Sequence, residues 1–352
     1  MKKINEENER IKRRYFTYMR EAKGRDNKTI TKIAAALIKF EQSTKHKSFK
    51  KFHIEDAIKF NSYLRKAKNA RTKKPLSHAT IDSTLRTVKA FIHWLAGQSG
   101  YKSRISYADA EYFNNTLKDA RIAHTHRPMQ YPSLKQCQRA FDVMPEQSKD
   151  QKRDKAAFAF FVLTGGRLKA VSTLRLKHID IEDGRVFMDA REVTTKGAKT
   201  INTWFYPVNP IYWEYFERWM KYLADEELFG PEDPLFPKPK IGVVKGKGFQ
   251  NLGLSREPYA STSSLYKAVK TAFANVQMPS YTPHNFRRTH GALMSQFCST
   301  PDTIKAWSQN YGHADVATTI NDYVPVSLER QGEIIRAMHK AVVEKDTSLE
   351  KN

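Results

Sequence analysis

Cysteine is nearly absent from this sequence. Only Cys137 and Cys298 occur in 352 residues, with no Cys-x-x-Cys pair and no Cys/His cluster, so neither a disulfide framework nor a structural zinc is indicated, and a reducing compartment fits. Long apolar runs are missing too. The longest, residues 156–163, falls far short of the roughly 20 residues that cross a bilayer. No secretory pattern opens the chain: Met1-Lys2-Lys3 leads into a charged stretch without an apolar core, and a cytoplasmic location is expected. Acidic residues are in short supply, 37 Asp+Glu against 61 Lys+Arg, for a formal charge of +24. Such an excess calls for a polyanionic partner, because lysines and arginines that neutralise phosphates release condensed counterions. With nothing to span a membrane, nucleic acid is the expected partner and a membrane is not.

What is present supports two domains. A 352-residue chain with 40% hydrophobic content buries a sizeable core and is long for one domain. Residues 1–125 read as amphipathic helices without a convincing strand. Ile33, Leu37 and Phe40 form one apolar face, and Ile54, Ile58 and Leu64 suggest another. The clearest helix covers 77–96, with the stripe Ile81, Leu85, Val88, Ile92 and Leu95, Ser77 as N-cap and Gly97 as stop. Arg86, Lys89 and His93 lie off that stripe and are candidate phosphate contacts; an ordinary solvated basic face is the alternative. Periodicity is lost over 121–132, which carries two prolines and sets an extended linker at 126–132.

The second domain, 133–325, opens with Ser133 as a helix cap, and an apolar helix over 153–163 stops at Gly165-Gly166. Residues 185–190 and 200–208 read as two strands around a turn holding Thr195-Lys196-Gly197-Ala198-Lys199. Ile211, Tyr215, Trp219 and Leu223 mark a helix core face, and the stretch from 232 to 259, rich in Pro, Gly and Lys, reads as a loop or surface insertion. Helices resume near Ser261. The expected fold is therefore mainly α with a small β-sheet in the C-terminal domain. Residues 326–352 form a tail in which Leu328, Ile335, Met338 and Val342 make one face of a helix.

Several short signals in this half carry chemistry, and each has an ordinary explanation alone. His284-Asn-Phe-Arg287 is a His-x-x-Arg that a basic chain contains by accident. Arg167, just after Gly165-Gly166, could share an anion with helix-start amides or simply be a surface arginine. Lys196 sits at a hairpin tip, where lysine and glycine are common. Tyr323 closes the run from Gly312-His313, where most tyrosines are packing residues.

In this order, Arg167, Lys196, His284-x-x-Arg287, Gly312-His313 and Tyr323 resemble the active-site series of the tyrosine recombinases, the phage-type integrases. Thr164-Gly-Gly-Arg167 and the following residues to Leu174, Thr282-Pro-His284, and Ala317-Thr-Thr319 are similar to that family as well. The likeness covers nearly the whole second domain, and the helical first domain looks more loosely like the family's core-binding domain. Two positions depart from the pattern. Ala170 stands where an acidic residue is frequent, and Tyr311-Gly312-His313 replaces the common Leu-Gly-His. The spacing from His313 to Tyr323 is one residue longer than in many members.

The resemblance implies a site-specific recombinase of a mobile element. It would cleave double-stranded DNA to a 3′-phosphotyrosine, exchange strands through a Holliday junction and religate. Tyr323 would be the nucleophile. Arg167 and Arg287 would present planar forks to the non-bridging oxygens, Lys196 would act as general acid toward the 5′-hydroxyl, His284 would assist the phenol, and His313 would hydrogen-bond the phosphate or the attacking oxygen. No cofactor and no metal are expected, since no Asp/Glu cluster accompanies these residues. The partners implied are specific DNA sites, three further copies in a homo-tetramer, and DNA-bending accessory proteins; the tail helix resembles a segment that family members dock on a neighbour, with packing on its own domain as the alternative. The alternatives are a type IB topoisomerase-like enzyme and a non-catalytic DNA-binding regulator.

Overall fold

The computed structural model describes residues 4–125, 129–323 and 331–333. Its chain falls into two units, Met1–Arg127 and Pro128–Asn352, and the two are described separately.

The first unit is helical. Asn5 caps α1 (Glu6–Thr17) by accepting from the Asn8 amide, and Glu6, Glu7 and Glu9 suit the positive end of the helix. Helix α1 runs on into a π-turn, Tyr18–Ala22. Asp26 caps α2 (Asn27–Ser43); α3 (Ile54–Lys66) and α4 (His78–Ala96) follow, the latter capped by Ser77 and ended at Gly97. The stripe of α4, from Ile81 to Leu95, is buried throughout, as are Ile33, Leu37 and Phe40 of α2. Around Phe40 pack Phe60 and Phe113, edge-on with centroids 5.2 and 5.4 Å away, an arrangement that complements ring quadrupoles. In α3 the buried residues are Ala57, Phe60 and Leu64, whereas Ile58 is 53% exposed. The expected Ile54–Ile58–Leu64 face is thus shifted, because the larger Phe60 sets which side of α3 turns inward. Inside the unit, Lys12 reaches Glu41 at 2.5 Å and Asn8 bonds Glu41, the Lys47 carbonyl and the Phe49 amide.

Helix α5 (Leu117–His124) takes in the start of the stretch 121–132 whose periodicity is lost and ends before the linker expected at 126–132, with Thr116 accepting from the Asp119 amide as cap.

In the second unit α6 (Leu134–Asp142) leads to α7 (Lys149–Thr164). From Ala156 to Thr164 every side chain of α7 is buried, which is why this stretch is apolar all round rather than striped. Phe158 and Phe161 face Phe286, and Phe160 faces Phe216 and Phe236. Gly165 ends the helix at φ +57°, and a Cβ there would meet His290 Nδ1 at 2.8 Å, so both conformation and space require glycine. After α8 (Leu168–Val171) comes an antiparallel sheet in the order β1 (Ile179–Asp180), β2 (Arg185–Met188), β3 (Ile201–Trp204), with Val186 opposite Thr203. The short first strand was not anticipated.

Helix α9 (Ile211–Lys221) buries Tyr212, Tyr215, Phe216 and Trp219. The segment expected to be a loop then forms a second antiparallel pair, β4 (Pro237–Val244) and β5 (Gly248–Pro258). Helices α10 (Ser263–Asn275), α11 (Pro283–Phe297), α12 (Pro301–Asn310) and α13 (Val316–Tyr323) complete the described chain. Leu328, Ile335, Met338 and Val342 lie outside the described residues. Among the described residues no helix is long and apolar enough to cross a membrane.

Candidate active site

The Gly165-Gly166 stop turns the chain so that Arg167 becomes the residue capping α8, half-buried. Across from it, Thr282 and Asn285 form a reciprocal cap that starts α11 with Pro283 in its first turn. This places Arg287 one turn in, only 2% exposed. Its guanidinium donates to the Gly165 carbonyl at 2.9 Å and to the Tyr311 carbonyl at 3.0 Å, and lies 4.3 Å above the Tyr311 ring. The Tyr311 hydroxyl closes the loop by donating to the Arg287 carbonyl at 2.8 Å. Arg167 donates to the same Tyr311 carbonyl at 3.4 Å. Two guanidinium groups therefore converge on one neutral acceptor, and like charges held this close favour an anion beside them.

Gly312, at φ +69° with Ile201 filling the space a Cβ would need, reverses the backbone after Tyr311 and brings His313 back onto Arg287. The His313 Nε2 lies 3.1 Å from an Arg287 nitrogen and its Nδ1 lies 2.7 Å from Thr319 Oγ1, which in turn donates to Ser308 Oγ at 2.7 Å. Arginine only donates, so Nε2 accepts and the ring proton sits on Nδ1. The ring is neutral: burial first, then Arg287, Arg167 and Lys196, hold its pKa down to about 4.

Lys196 stands exposed in the turn between β2 and β3, where Thr195 closes the loop on the Lys199 carbonyl at 2.7 Å. With Arg167, Arg287 and Tyr311 it lines one small cleft. His284 is exposed in the first turn of α11 and is not among the residues lining that cleft. Tyr323 is the last residue of α13, and its side chain lies outside the described part. In the first unit the candidate phosphate contacts have partners nearby: Arg86 meets Asp82 at 2.6 Å, Lys89 meets Glu111 at 2.7 Å and Asn114 at 2.9 Å, and His93 packs on Tyr107. Sequence reasoning missed His290, and it named Tyr311 and Thr319 only within short motifs, without their part in supporting the cleft. Among the described residues no group of three or more His, Cys, Asp or Glu could hold a metal ion.

Residues 133–330 match the model of the phage integrase family. The chain belongs to that family. The integrase is accordingly an enzyme of the tyrosine-type site-specific recombinase class. Its mostly helical architecture with small antiparallel sheets is shared with solved members. The XerH recombinase bound to palindromic difH substrate is 18% identical, with a TM-score of 0.60 over 87% of this chain and 79% of that one. The λ integrase dimer bound to a COC′ core site is 12% identical, with a TM-score of 0.60 over 90% and 95%. The Tn1549 transposon integrase in complex with a circular intermediate DNA is 16% identical, with a TM-score of 0.57 over 93% and 99%. Among curated proteins none matches the integrase in sequence.

Buried His290 and half-buried His313 are expected to make the integrase acid-sensitive. His290 donates from Nε2 to the Val162 carbonyl at 2.6 Å, and burial holds its pKa down to about 3. For both His290 and His313 the folded pKa lies below the ordinary 6.5, so the unfolded chain takes up protons first. Their stabilisation is complete above pH 6.5 and is lost as pH falls through 4 and toward 3. Thermal melts followed by circular dichroism should show the melting temperature falling across that window. His290→Gln, which keeps a donor toward Val162 without a titrating ring, should show a shallower acid limb.

Proposed function

We propose that this integrase recombines specific double-stranded DNA sites of a mobile element through a covalent bond to Tyr323. The convergence of Arg167 and Arg287 on the Tyr311 carbonyl, with Lys196 on the same cleft, carries the reading. Attack on a phosphodiester builds negative charge on a pentacoordinate phosphorus. Two preorganised forks meet that charge where a phosphate would displace the single carbonyl they now share.

In the step itself the Tyr323 oxygen bonds to phosphorus and the bond from phosphorus to the 5′ oxygen breaks. Lys196, on its exposed turn, supplies the proton that the leaving 5′-hydroxyl needs. The phenolic proton is lost to His284, and the cations of the cleft favour the phenolate, whose ordinary pKa is about 10. His313 accepts from Arg287 and through it fixes the angle of the guanidinium; a bound phosphate would extend the same network. The phosphotyrosine stores the broken bond, so a second 5′-hydroxyl can religate without an external energy source. Four copies, arranged on two duplexes and aided by DNA-bending proteins, would carry the exchange through a Holliday junction.

The test uses radiolabelled duplexes bearing the element's end sequence, nicked so that the short 5′-hydroxyl fragment diffuses away, followed by denaturing electrophoresis. Wild type is expected to give a labelled band at the combined mass of protein and DNA. Salt-sensitive DNA binding with no such band on any site would move the chain to a regulator. Relaxation of a supercoiled plasmid lacking the site would favour a topoisomerase.

A further inference from the structure

The β4–β5 pair is not used by the cleft, and its surface is unusual. Its base is anchored by Arg153, itself 4% exposed, which donates to the Pro237 carbonyl at 3.1 Å, and partway along it Asn251, opposite Ile241, bonds Asp150 at the start of α7. Beyond that base the ribbon presents apolar side chains to solvent. Val243 and Phe249 are opposite one another in the register and 71% and 79% exposed, and Ile241, two residues along on the same face, is 57% exposed. Leu252 covers Gly242 on the other face. Lys240, Lys245 and Lys247 are exposed beside this strip, and among the described residues none of them meets a carboxylate. Glu257, the one acid in the two strands and their turn, is paired with Lys238.

We infer that the β4–β5 ribbon is a second DNA-contacting element, laid into the major groove of the duplex. The inference rests on the proposed action on DNA and adds where, away from the cleft, the duplex is held. A two-stranded ribbon fits that groove in width, and eight residues of β4 reach about 26 Å at about 3.3 Å per residue. Lys245 and Lys247 at the tip and Lys240 along the strand meet phosphates, while Val243 and Phe249 face base edges, where the thymine methyl is the apolar feature. Charge decides against a second copy as the occupant. The ribbon is cationic, and so is the rest of a chain carrying +24, whereas the strip of three apolar side chains is small for a protein interface.

The experiment measures binding of a fluorescently labelled mixed-sequence duplex, several helical turns long, to the full chain over a series of salt concentrations. The variants are the triple Lys240→Gln, Lys245→Gln, Lys247→Gln and the single Phe249→Ala. The triple variant should reduce the slope of log affinity against log salt by about 2.7, at about 0.9 for each phosphate that is no longer neutralised. Phe249→Ala should weaken binding at every salt concentration without changing the slope. An unchanged slope and affinity in variants with unaltered melting temperatures would overturn the inference while leaving the cleft's function standing. Loss of self-association in Phe249→Ala by sedimentation, with DNA binding intact, would overturn it in favour of an interface between copies. Absence of salt-dependent DNA binding by wild type would overturn both readings together.

Discussion

With phenylalanine at position 323, the covalent adduct is expected to vanish altogether, whereas with lysine at position 287 it should form about a hundredfold or more slowly. Tyr323→Phe removes the only oxygen proposed to enter the bond to phosphorus, so no residual route to a protein-linked strand exists. Arg287→Lys keeps a positive charge but loses the fork that now reaches the Gly165 carbonyl, the Tyr311 carbonyl and His313 at once. One ammonium cannot satisfy these acceptors and also meet a developing oxyanion, and removal of a single preorganised donor typically costs on the order of a hundredfold in rate. Both variants should bind duplex DNA with the affinity and salt slope of wild type. Single-turnover cleavage of the nicked duplex, read on denaturing gels, separates the two effects. A Tyr323→Phe protein that still forms an adduct would place the nucleophile elsewhere, and an Arg287→Lys protein that cleaves at the wild-type rate would remove Arg287 from the chemistry.

The pattern that led to this cleft was carried by side-chain type and order, and its support was not. Helix α4 was legible because Ile81, Leu85, Val88, Ile92 and Leu95 repeat at helical spacing between Ser77 and Gly97, and all five are buried. The course of β4 and β5 was not, because strands exposed on both faces show no alternation of apolar and polar residues, and Pro, Gly and Lys between 237 and 258 imitate a loop. The start of α5 was readable in principle: Thr116 precedes Asp119 at cap spacing. Tyr311 was visible only as a departure from the usual leucine. Its contribution is made largely through a backbone carbonyl, which every residue has and no sequence displays. The tyrosine adds what leucine lacks, a ring beneath Arg287 and a hydroxyl bonded back to the Arg287 carbonyl. These interactions offer Arg287 an orientation that Ala170 cannot give Arg167 from the position where an acid is frequent.

Removing the Glu41 carboxylate should destabilise the first unit by less than about 3–5 kcal/mol, the cost of leaving one member of a buried ion pair wholly alone, because Lys12 keeps the half-exposed Glu9 as a second partner. Lys12 and Glu41 are 4% and 2% exposed, and their 2.5 Å ion pair is flanked by Asn8, which spends its amide on Glu41 and on the Lys47 carbonyl. In Glu41→Leu the ammonium keeps Glu9, 40% exposed at 2.6 Å, but loses its buried partner, and Asn8 loses an acceptor. Urea unfolding followed by circular dichroism would read the loss as a lowered midpoint with an unchanged slope. The double variant Lys12→Met, Glu41→Leu removes both charges and should recover most of the stability, because an apolar pair of similar volume avoids the desolvation that the ion pair must offset. If the single variant were as stable as wild type, the pair would be solvated despite its burial. If the double variant were no better than the single, the loss would come from the Asn8 hydrogen bonds that tie α1 and α2 to the segment around Phe49, not from the charges.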